Sequence, residues 1–151
     1  MLTPGPGPKS RVRPLAARRR GRRGAAAVEF AFVAPLLFMV ILGIIEFGRG
    51  MMVAELLNSA ARNGSRVGAL TGSDNTAIST AVTNALSGTG ISGASCTIRV
   101  NGNSAANAAT AVTGDAISVT VTVPYNSVSW LPVNQYLGGR TLGSTVVMRR
   151  E

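Results

Sequence analysis

Hydrophobic positions are distributed very unevenly along this chain. From Ala25 to Ile45 there are 21 residues with a single charge, Glu29. At about 1.5 Å per residue, a helix of that length reaches about 31 Å, enough to cross a hydrocarbon core of about 30 Å. The apolar residues go all the way round, with no polar stripe from Ala31 to Ile45. A helix in a water-soluble core would show one. All four phenylalanines, Phe30, Phe32, Phe38 and Phe47, fall within residues 24–47. The pattern predicts a membrane helix over 24–47.

Beyond it the periodicity changes. Met51, Ala54, Leu57 and Ala61, with Leu56, recur at helical spacing, while Glu55, Asn58 and Arg62 take other positions. Residues 48–72 are expected to carry the helix out of the membrane to about Asn63, where Gly64, Gly68 and Gly72 loosen it. Residues 73–151 read as a small exported unit. Ser73 or Asp74 caps a helix whose apolar face is Ile78, Ala81, Val82, Ala85 and Leu86, and Gly88 stops it. Cys96, Ile98 and Val100 alternate with polar residues as a short strand. Ile117, Val119, Val121 and Val123 alternate with Ser118, Thr120 and Thr122 as the clearest one, and Leu142 to Arg149 gives a third. Residues 101–114 and 124–139 read as connections. The second holds Tyr125, Trp130 and Tyr136, read first as a core or loop anchor and second as a contact with a partner or the membrane surface. The expected fold class is therefore α+β: an N-terminal single-pass transmembrane helix extending into a small exported domain with one or two helices and a three- to four-stranded antiparallel sheet. So small a core needs the extended helix, or a neighbour, over its open face.

Charge refines this picture. The net charge is +9, but eight of the fifteen basic residues precede Gly24 with no acidic residue among them. The remainder carries 7 basic and 6 acidic residues. Basicity is thus a property of residues 1–23, a Pro-, Gly- and Arg-rich leader expected to be disordered, and nucleic acid is not an expected partner. Arg18, Arg19, Arg20, Arg22 and Arg23 stand directly before the apolar run, the arrangement that keeps the basic flank cytoplasmic and sends the C-terminal domain outward. The run is longer than a secretory h-region and Glu46-Phe47-Gly48-Arg49 offers no A-x-A site, which argues against a conventional cleaved signal.

Composition also narrows the chemistry. There is no histidine and one cysteine, Cys96. No histidine base, histidine metal site, internal disulfide or thiolate cluster can be built. No catalytic residue, metal or cofactor is expected, and Cys96 reads as a small buried hydrophobe, with intermolecular pairing as the alternative.

One carboxylate demands a reason. Placing Glu29 in a membrane span costs about 2.5–3.5 kcal/mol on insertion scales. Glu29 lies five residues after Gly24. If the chain were cut there, the new α-amine of Ala25 would be four residues before Glu29, on the same helix face. The alternative is that Glu29 snorkels at the cytoplasmic interface. Ala27, Ala31 and Pro35 form a small-residue stripe that either admits a neighbouring helix or is plain filler. Glu46 and Arg49, three apart, can pair at the outer interface.

Gly24 followed by an apolar helix with Glu29 and Phe30 at its fifth and sixth positions resembles the processing site of type IV prepilins. More closely, RRGAAAVEFAFVAPLLFMVILGIIEFGRGMMV followed by NSAARNGSRVGAL resembles the TadE-like family of tight-adherence (Tad/Flp) pilus assembly proteins, and the ending STVVMRRE is similar to that family's tail. The resemblance implies a structural pseudopilin of a type IVc pilus secretion system in the bacterial inner membrane. A prepilin peptidase would act transiently between Gly24 and Ala25, Glu29 would serve in recognition or assembly, and Pro35 would match a kink-prone position. Phe30, Pro35 and Glu46 would belong to the membrane helix. The implied partners are the lipid bilayer, other pilus or pseudopilin subunits and inner-membrane platform proteins. The competing reading is a signal-anchored extracytoplasmic binding module with no pilus role.

Overall fold

The computed structural model describes residues 3, 5, 7, 21–104, 106–130 and 139–151, with side chains from Gly24 onward. Compact packing divides the chain into two units, Met1–Met39 and Val40–Glu151. The expected disorder of residues 1–23 falls mostly outside the described residues, as do Arg18, Arg19 and Arg20. Arg22 and Arg23 are helical in backbone.

A single helix, α1, runs from Gly21 to Ala69 with Pro35 inside it. Its apolar stretch has a mean hydropathy of 2.5, and none of that stretch is buried. Phe30, Phe32, Leu36, Phe38, Met39 and Ile44 all expose more than half of their surface. In water this would forfeit about 1.5–3 kcal/mol per side chain relative to burial. The helix is long and apolar enough to cross a membrane.

Within the Val40–Glu151 unit, α1 does not loosen at its glycines. It stays regular to Ala69, and only Gly72, at φ +85°, lies in the turn that follows. The buried face also differs from the expected one. Met51 and Ala54 are exposed, whereas Val53, Leu57, Ala60, Ala61, Gly64, Ser65 and Gly68 are buried. Leu57 and Ala61 of the expected stripe lie on that face, and small residues make most of the rest of it.

The second helix, α2 (Asn75–Leu86), begins at Asp74, whose carboxylate accepts from the Ala77 N–H at 2.7 Å. This satisfies one of the orphan donors of the first turn. Ile78, Val82 and Leu86 are its buried stripe. Three antiparallel strands follow in the order β1 (Ser95–Val100), β2 (Ala116–Pro124), β3 (Thr141–Arg149). Ile98, Val119 and Val146 are level across the sheet. Strict alternation in β2 buries Ile117, Val119, Val121 and Val123 completely and leaves Ser118, Thr120 and Thr122 on the other face. There Thr120 and Thr145 hydroxyls bond at 2.9 Å. The architecture is α+β, with both helices contributing to the core on the apolar face of a three-stranded antiparallel sheet.

Two close approaches set the packing of α1 on this layer. A Cβ at Gly64 would stand 2.6 Å from Cγ2 of Val82 and 3.3 Å from Cγ1 of Val119. One at Gly68 would stand 2.8 Å from Cγ2 of Ile117. Hydrogen bonds tie the same helix to β3: Ser65 Oγ donates to the Val146 carbonyl at 3.1 Å, and Ser144 Oγ to Asn58 Oδ1 at 3.2 Å.

Residues just past β3 close the far end of α1. Arg150 is 4% exposed, and its Nη1 donates to the Gly68 carbonyl at 3.0 Å. The Glu151 N–H donates to the Ala69 carbonyl at 3.0 Å. Carbonyls of a last helical turn lack intrahelical partners and carry the negative end of the helix dipole, so a guanidinium is well matched there. Nearby, Asp115 accepts from Asn101 Nδ2 at 2.7 Å and from the Val112 N–H at 2.9 Å, and these bonds hold its carboxyl below the usual range.

Candidate functional site

The residues singled out from the sequence fall into two groups. The first lies in the Met1–Met39 unit. Gly24, Ala25, Glu29, Phe30 and Pro35 are all on α1 and all exposed. The peptide between Gly24 and Ala25 is helical, and nothing stands within 4 Å of a Cβ built at Gly24. Glu29 and Phe30 follow one turn later on a helix with apolar side chains on every side.

The second group centres on Glu46, in the Val40–Glu151 unit. Glu46 occupies the first position after the apolar run, and it is 7% exposed. Its Oε1 accepts a hydrogen bond from the Tyr125 hydroxyl at 2.8 Å. Among the described residues, Oε2 has no hydrogen bond of its own, although Ser129, the Trp130 N–H and the Arg49 charge also act on the carboxylate. Burial of a charged oxygen is costly, so each of these partners matters. Arg49, expected to pair with Glu46, directs its Nε to the Val128 carbonyl. Its guanidinium lies over the Trp130 ring, 4.5 Å from the centroid. Tyr125 is buried, and burial followed by the neighbouring carboxylate pushes its phenol above the ordinary value. Trp130 is 70% exposed, which rules out the core-anchor reading for this ring. Tyr136 lies outside the described residues.

Helix and strand arrive here for different reasons. β2 ends at Pro124, which has no N–H to extend the ladder. The chain then folds into one 3-10 turn, Tyr125–Ser127. That turn drops Tyr125 and Val128 onto the α1 turn holding Glu46 and Arg49. The link between Glu46 and Tyr125 spans 79 residues, beyond the reach of any local pattern. The one available signal was a carboxylate at the mouth of an apolar helix in a chain with two tyrosines.

Cys96 is half-buried on the core side of β1 beside an open groove of about 710 Å³. Val82, Leu86 and Ile91 also line it. Burial pushes the thiol's pKa up, away from reactive thiolate character. Among the described residues, no three His, Cys, Asp or Glu side chains come together to hold a metal.

An unburied apolar helix continuing into a small α+β layer packed on its distal half defines the class: a protein with one N-terminal helix fit to serve as a single-pass membrane anchor. Within that class, residues 24–66 match the model of the TadE-like protein family, the family that the sequence resembles. The similarity to that family thus covers the apolar run and the helix beyond it. The matched stretch contains Gly24, Glu29, Glu46 and Gly64, and it ends before the sheet. No curated protein and no solved structure matches the chain.

Proposed function

We propose that this protein is a pseudopilin-like structural component of a Tad/Flp pilus machine. It inserts through the apolar part of α1 over residues 24–47, with the arginine cluster on the cytoplasmic side and the α+β layer outside. A prepilin peptidase then removes the leader between Gly24 and Ala25. Glu29 is the carboxylate that pairs with the new Ala25 amine, in its own chain or a neighbour's, during lateral packing with other subunits or platform proteins. The observation that carries this reading is Glu29 itself. It is a lone charge on an unburied apolar helix, five residues past Gly24, within the stretch that matches the TadE-like family. A charge at that place costs insertion energy, and the partner amine created by cleavage offsets it.

Intact-mass measurement of the membrane-extracted protein, made with and without a coexpressed prepilin peptidase, tests the reading. Loss of the first 24 residues, with Ala25 as the new terminus, is the expected result. An unchanged mass would overturn processing and favour the signal-anchored binding module, whose ligand surface would then be sought around the groove between α2 and β1.

A further inference from the structure

The cluster around Glu46 holds one element that neither folding nor processing uses. Trp130 leaves 70% of its surface exposed, yet its ring does not hang freely, because Arg49 lies 4.5 Å from its centroid. The segment bearing it is fastened twice more, by Tyr125 to Glu46 and by the Val128 carbonyl to Arg49. Burying a carboxylate and a tyrosine in order to present a tryptophan to the outside makes little sense for a ring surrounded by water.

Position along α1 supplies the missing surroundings. The apolar run ends at Ile45, and Arg49 follows four residues later, about 6 Å further along the axis. Phe47 and Met51 on the same turns are 71% and 61% exposed. An aromatic ring and a cation on one side of α1, with two apolar side chains level with them on the other, one turn beyond the apolar run, have the composition of the bilayer interface. There tryptophan rings sit among headgroups, and arginine reaches phosphate.

We propose that Trp130, carried on Arg49 at the same level of α1 as Phe47 and Met51 on its opposite side, is an interfacial anchor that seats the exported unit in the headgroup layer of the leaflet where α1 emerges. The occupant of this surface is lipid: a layer of carbonyls and phosphates that accepts the indole N–H and the guanidinium. The inference rests on the membrane reading of α1 and adds a second, peripheral attachment to it.

Trp130 is the only tryptophan, so intrinsic fluorescence of the full chain reports on this ring alone. The protein would be reconstituted into phosphatidylcholine–phosphatidylglycerol vesicles carrying nitroxide lipids labelled near the headgroup or deep in the acyl chain. Shallow labels should quench Trp130 more than deep ones, aqueous iodide should quench it poorly, and emission should be blue-shifted from that of the denatured chain. Arg49→Ala should loosen ring docking by about two- to five-fold, the worth of an exposed cation–π contact, and raise iodide quenching accordingly. Arg49→Lys should largely preserve the lipid contact. Full iodide access without nitroxide quenching overturns the proposal. Protection from both quenchers overturns it too, since protein rather than lipid would then cover the ring. Carbonate extraction of the same vesicles separates the two readings. A chain that is stripped off refutes the membrane span itself, whereas an integral chain with a water-exposed Trp130 refutes only the anchor.

Discussion

Glycine at positions 64 and 68 is dictated by what lies against the helix rather than by the helix. Neither residue adopts a positive φ, and both cost helix propensity relative to alanine. What requires them is proximity: Val82 and Val119 leave no room for a Cβ at Gly64, and Ile117 leaves none at Gly68. Gly43, on the same helix, has nothing within 4 Å of a Cβ and serves as the control. Gly64→Val should therefore lower stability by about 1–3 kcal/mol through overpacking, while Gly43→Val should be near neutral or slightly stabilising. Thermal unfolding of the detergent-solubilised protein, followed by circular dichroism, distinguishes the two. From sequence these glycines read as breakers, because a missing side chain gives the same local signal whether it loosens a helix or admits a neighbour. Glu29 stood out for the opposite reason: a charge among apolar residues is conspicuous without any partner in view.

Elements were legible to the degree that they carry their own period. β2 announced itself through four valine or isoleucine positions on one face, and the structure places that strand within one residue of the expected bounds. Asp74 and the Ile78–Val82–Leu86 stripe likewise defined α2. The end of α1 was not legible, because its cap comes from residues just past β3: Arg150 reaches Gly68 across 82 residues, and Glu151 reaches Ala69. This gives the charged ending after β3 a physical task. Arg150→Met should keep most of the packing of the side-chain stem and lose the charge-assisted bond, at a cost of about 1.5–3 kcal/mol. The loss should be local first. Amide exchange in the last turn of α1, residues 66–69, should accelerate more than exchange in β2. Uniform acceleration across the unit would mean that Arg150 acts on global stability instead of as a cap.

At the scale of the molecule, one helix carries two kinds of surface. Its N-terminal part is apolar all round and unburied, whereas the part from Val53 to Ala69 hides a face of small residues under the sheet. The sheet depends on that face. Ile117, Val119, Val121 and Val123 are fully buried, and burial of four such side chains contributes about 6–12 kcal/mol, comparable to the whole stability of a small domain. Since α2 offers only Ile78, Val82 and Leu86 as buried cover, residues 73–151 alone would leave much of this surface wet. A fragment of residues 73–151 should accordingly give a collapsed, poorly dispersed amide NMR spectrum. A fragment of residues 46–151, which begins just past the apolar run and keeps Glu46 for Tyr125, should be soluble and well dispersed. If the shorter piece folded by itself, the distal half of α1 would be a mere stalk, and the close contacts at Gly64 and Gly68 would not be what holds the α+β unit together.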